Sequence, residues 1–325
     1  MAHPSESQLQ KFHELGFAIQ SSQGRPCDSL DALRTALVDR VYWDNHEYEL
    51  LTRPGARAVA YMPGLEIDEA VTAFFGWFEA ENSDAAQALL AEINQWAASR
   101  GAAQVIGPIN GTTAANYRFK TSHFDVDPLP GEPDNLPAYV DYLTEAGYAV
   151  HHGYSSFVGH ANDTVPATIL PDGLSVQSMS NDDWSALKEE ALDLCQVVFS
   201  QNFAFPGLEP QEWDRIHGYF LGALCPLGSQ MALSEGRLVG FSLCVPTMIA
   251  GKRTLAVKTV GTHPDYRRSG LFNAMGDRIH AAVLRHYEQV AGVLIRDQNA
   301  SAITTLFRMV PTETRRYALF VKRLT

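Results

Sequence analysis

The sequence predicts an α/β fold built from two successive domains of similar plan. Three observations favour it: a length of 325 residues, a hydrophobic content of 46%, and one order of strand, loop and helix that recurs in both halves. A chain of this size can bury substantial cores, and length alone favours two domains over one. Proline and glycine at Pro166, Pro171 and Gly173 separate two apolar segments. We therefore divide the chain into domains 1–165 and 174–325.

The second half alternates between strand and helix patterns. Its longest predicted helix places Leu271, Met275, Ile279 and Val283 four residues apart, which gives one apolar face. In chain order, the predicted elements are a strand Leu174–Met179, helices Trp184–Ser200 and Pro210–Leu224, a hairpin of Met231–Ser234 and Leu238–Val245, a strand Thr254–Thr262, a helix Ser269–Tyr287 and a strand Val293–Ile295.

The first half repeats part of this order. A predicted strand, Val71–Phe78, leads into a helix, Asp84–Arg100, which Gly101 ends. A short strand, Gln104–Ile106, and a helix, Ala138–Glu145, follow. The order of elements therefore predicts a duplicated α/β domain, although the two halves share no close sequence repeat.

Charge and composition exclude several classes of function. The net charge of −12 and the lack of a basic run argue against nucleic-acid binding. No apolar stretch approaches the roughly 20 residues that span a bilayer, so we expect no membrane partner. The start, Met1–Gln10, is polar, which favours a cytoplasmic location. We expect no metal, because the four cysteines are isolated rather than paired as in a zinc site: Cys27, Cys195, Cys225 and Cys244.

The strongest local signal is the segment Lys258–Met275, KTVGTHPDYRRSGLFNAM, in which a strand runs through a loop into a helix. Backbone N–H groups at a helix start have no intrahelical acceptor, and the helix dipole adds partial positive charge, so a pyrophosphate fits there. Gly270 lets phosphate oxygens approach the backbone. Arg267 and Arg268 add cationic donors. The segment therefore predicts an anion site.

This segment resembles the acyl-CoA signature of the GCN5-related N-acetyltransferases (GNATs): Arg or Gln, two residues, Gly, one residue, then Gly or Ala. Arg267 and Gly270 match, whereas Phe272 stands where the family usually has a small residue. The resemblance extends over about Leu174–Leu324 and ends with RRYALFVKRL, which is similar to the closing strand of such domains. It implies two tandem GNAT-like domains, each a mixed, mostly antiparallel twisted sheet flanked by helices.

The resemblance also implies a ligand, acetyl-CoA or another acyl-CoA as co-substrate, and the residues that hold it. Asn299 matches the family's asparagine and is expected to bind the pantetheine arm. The implied coenzyme-binding residues are Val260, Gly261, Thr262, Arg267, Arg268, Ser269, Gly270, Leu271, Phe272 and Asn299.

The first half looks like a partner domain that has lost coenzyme binding. Its corresponding loop, Glu79–Asp84, has no glycine and places Glu79, Glu81 and Asp84 near the helix start, where carboxylates would repel a diphosphate. The stretch Gly107–Lys120, GPINGTTAANYRFK, resembles the first half of uncharacterised two-domain members of this group. Its opening, GPING, is interpreted as a tight turn after a strand.

Catalytic roles are less clearly marked in the sequence. The resemblance implies that a backbone N–H at Val260 through Thr262 polarises the acyl carbonyl. The strand Thr254–Thr262 has no carboxylate, so His263 is the nearest candidate base, with a common loop residue as the alternative. The family's usual tyrosine acid is missing from the predicted helix Ser301–Met309. Candidate acids are Tyr317 and, more weakly, Tyr266 and Tyr117.

Three hypotheses for function remain open. The first is an N-acyltransferase for a small amine or amino-acid-like acceptor, with Asn202, Tyr117 and Arg118 as candidate acceptor-binding residues and a homodimer as a possible assembly. The alternatives for these residues are a capping or turn role for Asn202 and a surface loop held by hydrogen bonds for Tyr117 and Arg118. The second is an acyl-CoA sensor without turnover, suggested by the missing carboxylate and tyrosine. The third, transfer from a carrier protein or aminoacyl-tRNA, is disfavoured because the acidic chain would repel either polyanion.

Overall fold

The computed structural model of the chain describes residues 3–162, 167–299 and 308–324. The α-helices are α1 Glu6–Ser22, α2 Leu30–Leu37, α3 Ser83–Ser99, α4 Ala138–Glu145, α5 Asn181–Ala186, α6 Lys188–Val198, α7 Pro210–Ala223 and α8 Leu271–His286. The strands are β1 Glu47–Arg53, β2 Ala56–Ile67, β3 Ala70–Ala80, β4 Gln104–Gly107, β5 Phe119–Lys120, β6 Ala149–Ala161, β7 Leu174–Ser178, β8 Gln230–Ser234, β9 Arg237–Ile249, β10 Lys252–Thr262, β11 Gln289–Arg296 and β12 Met309–Arg323. Short 3₁₀ turns cover Val41–Asp44, Pro264–Tyr266 and Asp297–Asn299.

The chain forms two compact units. The first comprises Met1–Phe124, Pro133–Gly153 and Tyr317–Thr325, and the second comprises Asp125–Glu132 and Tyr154–Arg316. Compared with the predicted division between residues 165 and 174, the end of β6 belongs to the second unit and the end of β12 to the first.

The first unit is a mixed sheet with helices packed on it. β1, β2 and β3 pair antiparallel, β3 pairs parallel with β4, and β4 pairs antiparallel with the last part of β12. Its core joins apolar side chains of α3 to those of the sheet: Leu89 and Ile93 of the helix contribute with Phe75 and Val105 of the strands, all buried.

The second unit repeats this pairing order. β7, β8, β9 and β10 pair antiparallel, β10 pairs parallel with β11, and β11 pairs antiparallel with the end of β6. Helix α8 lies on one face of this sheet, where Leu271, Met275 and Ile279 are buried. On the other face, Trp184 of α5 stacks on His217 of α7 and lies near Phe241 of β9.

Most of the predicted elements are confirmed, and the shared order of the two halves is confirmed as a mixed, mostly antiparallel sheet in each unit. The predicted helix Trp184–Ser200 is wrong as a single element. It is two helices, α5 and α6, because Leu187 has a ψ of 10°, far from the helical value of about −42°. Residues 301–307 of the predicted helix Ser301–Met309 lie outside the described residues, and Met309 begins β12.

Candidate coenzyme site

The site begins where β10 parts from β11. The two strands pair only from Thr254 with Gln289 to Val257 with Gly292. Beyond Val257, β10 continues to Thr262, and β9 is the only described strand that pairs with it there. On the side that β11 has left, the strand edge of residues 258–262 is therefore open within the described part of the chain. We call this open edge the notch.

The alternation of the β10 backbone determines which groups face the notch. The N–H of His263 donates to the carbonyl of Val239 in β9, at 2.8 Å. Because successive residues of an antiparallel strand point their backbone groups to opposite edges, the N–H groups of Val260 and Thr262 point away from β9. They thus face the notch. The predicted role of Val260 as a backbone donor requires this orientation.

A tight loop connects β10 to α8. It begins with a 3₁₀ turn in which the N–H of Tyr266 donates to the carbonyl of His263, at 2.9 Å. The loop then needs two left-handed residues, Arg268 with φ of 68° and Gly270 with φ of 91°. Glycine adopts such a φ without the steric cost that other residues meet, which explains its presence at residue 270.

The start of α8 is an uncapped helix terminus. Gly270 is the N-cap residue and has no side chain to accept a hydrogen bond, and the first turn contains no acidic residue. The N–H of Leu271 is within 3.4 Å of the Ser269 hydroxyl, a long and weak contact. The following amides, of Phe272 and Asn273, have no acceptor within the helix. This terminus can therefore donate several hydrogen bonds to an anion.

Arg267 and Arg268 flank this terminus, and both side chains are exposed. Neither forms an ion pair within residues 3–162, 167–299 and 308–324, whereas other arginines of the chain do. The two guanidinium groups therefore add positive charge beside the uncapped amides, in an otherwise acidic chain.

A segment preceding β7 lies against the same loop. A side chain at residue 270 would begin 3.4 Å from both Leu170 and Thr168. Thr168 is fixed in turn by Asp277 of α8, whose carboxylate accepts from the Thr168 N–H and hydroxyl at 2.8 and 2.6 Å. The loop thus has a packed wall on one side.

His263 and Asn299 each follow one of the two parallel strands that part at the notch, β10 and β11. His263 follows β10, is half-buried, and accepts the N–H of Asp265 through Nδ1 at 3.3 Å. Asn299 is exposed in the 3₁₀ turn directly after β11. Their positions are compatible with the predicted roles, which stay predictions.

The other predicted residues belong to other elements of the chain. Tyr317 belongs to the first unit, is 1% exposed, and pairs with Lys120 across β12 and β5. Tyr117 and Arg118 also belong to the first unit, where the guanidinium carbon of Arg118 lies 3.5 Å from the centre of the Tyr117 ring. Asn202 is exposed in the second unit, in a turn where its N–H donates to Phe199. Their roles also stay predictions.

Lys258 is a polar residue of the notch that the sequence did not single out. The pairing register of β10 against β9 shifts between Val257 and Thr259, which makes Lys258 the inserted residue of a β-bulge. A bulge depends on how two strands pair, and the alternation of β10 read by itself gives no sign of it.

The corresponding region of the first unit is closed. After β4, the N–H of Ile109 donates to the carbonyl of Phe75 at 2.7 Å, and the Asn110 side chain accepts the N–H of Trp77 at 2.7 Å. A side chain at Gly76 would begin 2.1 Å from the carbonyl oxygen of Ile109. The chain thus fills the place where β3 parts from β4.

The helix start in the first unit is also occupied: Asp84 lies in the first turn, as predicted, but the cap is a different residue. Asn82 is the N-cap of α3, and its side chain accepts the N–H of Ala85 at 3.0 Å. Glu79 is not at the helix start: it lies in β3 and accepts from Arg25 at 2.6 Å and from Tyr139 at 2.7 Å. An amide, rather than a group of carboxylates, therefore caps this helix.

Neither a membrane span nor a metal cluster occurs in the part of the chain that the structure describes. Over the ranges 3–162, 167–299 and 308–324, no helix is both long and apolar enough to cross a bilayer. The same ranges contain no group of three or more His, Cys, Asp or Glu side chains placed to hold a metal ion.

Comparisons with known proteins were made by sequence and by structure. No sequence family and no curated protein matches the chain. Solved structures do match over its full length. A crystal structure of Eis1 from Mycobacterium abscessus is 13% identical, with a TM-score of 0.54 over 99% of this chain and 72% of that one. A probable N-acyltransferase from Enterococcus faecalis is 12% identical, with the same TM-score and coverage.

A third match bears on the domain arrangement. A tandem GNAT protein from the clavulanic acid biosynthesis pathway is 13% identical, with a TM-score of 0.51 over 100% of this chain and 97% of that one. Identities this low establish the fold alone. The chain has the tandem GNAT fold, as the sequence predicts.

Proposed function

We propose that this tandem GNAT-fold protein is an acyl-CoA-dependent N-acyltransferase whose second unit binds the coenzyme and whose acceptor is a small amine or amino-acid-like molecule. Acetyl transfer is the form of the reaction that we expect. The observation that carries the proposal is the combination of the notch with the uncapped start of α8. An acyl-CoA has a pyrophosphate for the helix start and an extended arm for the open strand edge.

Each part of the loop has a role in this proposal. The amides of Leu271, Phe272 and Asn273 donate to the pyrophosphate, and Arg267 and Arg268 add charge-assisted hydrogen bonds. Gly270 keeps this approach free of a side chain. The coenzyme itself supplies a thioester, whose carbonyl carbon the acceptor nitrogen attacks.

We assign to the N–H of Val260 the role of stabilising charge on the thioester oxygen; two observations support this, since it faces the notch and belongs to a strand already held by β9. Such a donor needs no reorientation during the reaction. A protonated acceptor amine must first lose a proton, since a lysine-like amine in water has a pKa of about 10.4. His263, directly after β10, is the titratable side chain that we assign to this step.

The direct test is calorimetry with acetyl-CoA, where we expect one coenzyme per chain. A thermal-shift series of acyl-CoAs of different length then ranks the acyl group, because a ligand at about 100 times its Kd stabilises the native state by roughly 2.7 kcal/mol. The proposal is refuted if the protein binds no member of the series.

A second candidate function is an acyl-CoA sensor without turnover. It is favoured by one observation, that β10 has no carboxylate to act as a base. Incubation with acetyl-CoA and an amine panel, followed by a thiol assay, separates the two functions. Thiol release that depends on the acceptor supports the enzyme, and coenzyme binding without such release supports the sensor.

A further inference from the structure

The two faces of the notch strand are covered differently. On one face, Val257 and Val260 pack against α8, whose start is the proposed coenzyme site. Ala256 points to the other face, because side chains of a strand alternate. An acceptor that attacks a thioester held on the α8 side therefore approaches from the opposite face.

That opposite face has two walls. At one end of the notch, Gly261 lies under α6, so that a side chain there would begin 2.5 Å from Cγ1 of Val198. At the other end, Leu129 packs on Ala256 together with neighbouring strand residues. Ala256 and Gly261 share this face, because their β9 partners, Val245 and Phe241, are four residues apart.

The second wall is a fixed piece of structure, Asp125–Glu132, which we call the acceptor wall. Glu132 is buried and accepts both from the Leu129 N–H, at 2.7 Å, and from Arg315, at 3.0 Å. Arg315, itself 1% exposed, also donates to the Asp127 carbonyl at 2.8 Å. These bonds hold the backbone of the acceptor wall against the sheet.

Lys258 is placed at the edge of this wall. Its ammonium donates to the carbonyl of Pro130 at 2.5 Å, and a side chain at Gly131 would begin 2.6 Å from Nζ. Gly131 has a φ of 80°, which also favours glycine. The absence of a side chain at Gly131 therefore leaves space for the ammonium, and the Pro130 carbonyl holds it beside the notch.

From this geometry, and resting on the proposed function, we propose that Lys258 selects an acceptor that carries a carboxylate close to its reacting amine, as an amino acid does. A fixed ammonium next to the point of attack attracts a carboxylate through a charge-assisted hydrogen bond. It repels an acceptor whose only charge is its ammonium. The substrate class is thus an amino acid or a similar amine acid rather than a simple amine or polyamine.

The test uses pairs of molecules that differ only by the carboxylate: L-phenylalanine and phenethylamine, L-lysine and cadaverine, and β-alanine and ethylamine. Binding to the protein saturated with CoA is measured by calorimetry, so that no reaction occurs. We expect at least one amino acid to bind about tenfold or more tightly than its amine, the lower end for a hydrogen bond to a charged group. Lys258→Met should remove this preference, because the amino acid loses its charge-assisted hydrogen bond while the amine loses a repulsion and binds no more weakly than before.

The control variant is Lys252→Gln, at the exposed start of the same strand, which should keep the preference. Turnover with acetyl-CoA should agree with the binding data: Lys258→Met should have a higher KM for the amino acid than the wild-type protein. The inference is overturned if no amino acid binds better than its amine, or if Lys258→Met weakens both members of a pair equally, as a merely structural lysine would. Failure of the wild-type protein to bind CoA at all is a separate result, which refutes the proposed function.

Discussion

The two units share one order of strands and helices but differ where a coenzyme would bind. In the second unit, β10 leaves β11 and the edge stays open, and Gly270 begins α8 without a side-chain cap. In the first unit, Ile109 and Asn110 close the equivalent edge, and Asn82 caps the helix. The difference teaches how such an edge and helix start are closed: in the first unit, the chain itself forms hydrogen bonds with backbone N–H groups at the strand edge and at the helix start.

The two closures are independent of each other. Removing the cap of α3 would free an amide at the helix start but would not reopen the edge of β3, because Gly76 has the Ile109 backbone against it. We therefore expect the first unit to bind no coenzyme even when its helix start resembles that of the second unit.

The largest effect is expected from Gly270→Glu. A carboxylate among the amides of α8 would compete for the same partial charge as the pyrophosphate, so coenzyme binding should fall by at least about a hundredfold. Because residue 270 has a φ of 91°, any side chain there also costs about 1–2 kcal/mol of folding free energy. Gly270→Ala, which has the strain without the charge, is the control and should bind far better than Gly270→Glu.

The matched changes in the first unit are Asn82→Gly and Asp84→Gly. Glycine in place of an N-cap asparagine costs roughly a few tenths of a kcal/mol of stability, and glycine within a helix about 1 kcal/mol, while coenzyme affinity should stay unchanged. Calorimetry should still give one coenzyme per chain. Two coenzymes per wild-type chain, or normal binding by Gly270→Glu at unchanged stability, would contradict a single site in the second unit.

The second prediction concerns His263, which directly follows β10 in the second unit. After β3, at the equivalent place, the first unit has Glu81 and Asn82. If His263 is the base, His263→Gln should lower turnover by about 10²–10⁴-fold. The variant should also change the shape of the pH profile of turnover, because a general base contributes to that profile. His286→Gln, at the exposed end of α8, is the control. A variant that keeps both the rate and the shape of the pH profile places the base elsewhere.

Much of this comparison could be predicted from the sequence. The strand, loop and helix of Lys258–Met275 are marked by local signals, namely alternation, a glycine and an apolar repeat, and the structure has them within two residues of the predicted ends. The hairpin before them is equally local: Glu235 and Gly236 have positive φ values of 48° and 84°, which suit a two-residue turn.

The parts that could not be predicted depend on pairing between distant residues. The acceptor wall, Asp125–Glu132, belongs to the second unit although it precedes the predicted boundary by more than thirty residues, because Glu132 forms its ion pair with Arg315. The bulge at Lys258 is likewise set by a distant neighbour, the strand β9 whose register it interrupts. Periodicity contains no information on any of these.

The third prediction compares one glycine in each unit. Gly76→Ala places a methyl group against the backbone oxygen of Ile109, whereas Gly261→Ala places it against a side chain, Val198. Overpacking of this kind costs about 1–3 kcal/mol, and the backbone contact should be the costlier because it cannot rotate away. Denaturant unfolding measures both, with Gly218→Ala in α7 as a control that meets no neighbour.

The same pair separates the functions of the two units. Gly76→Ala should leave coenzyme affinity unchanged, because its neighbour only closes the first unit. Gly261→Ala should also lower turnover, since residue 261 lies in the notch strand between Val260 and Thr262. Loss of coenzyme affinity in Gly76→Ala, or unchanged turnover in Gly261→Ala, would contradict the assignment of the site to the second unit.

The smallest effect is expected at the two asparagines that follow the inner strands. In the first unit, the Asn110 side chain accepts the N–H of Trp77 and is thus engaged within the chain. Asn299 is exposed after β11, where we expect it to bind the pantetheine arm. Asn299→Ala should weaken acyl-CoA binding by about 0.5–1.5 kcal/mol, the range of one neutral hydrogen bond, without a change in stability. Asn110→Ala should lower stability and leave acyl-CoA binding unchanged, because it leaves the backbone N–H of Trp77 without its acceptor. Gln298→Ala, the exposed neighbour of Asn299, is the control for calorimetry. Unchanged coenzyme affinity of Asn299→Ala would remove this residue from the site, and a loss of affinity in Asn110→Ala would mean that the first unit takes part in binding after all.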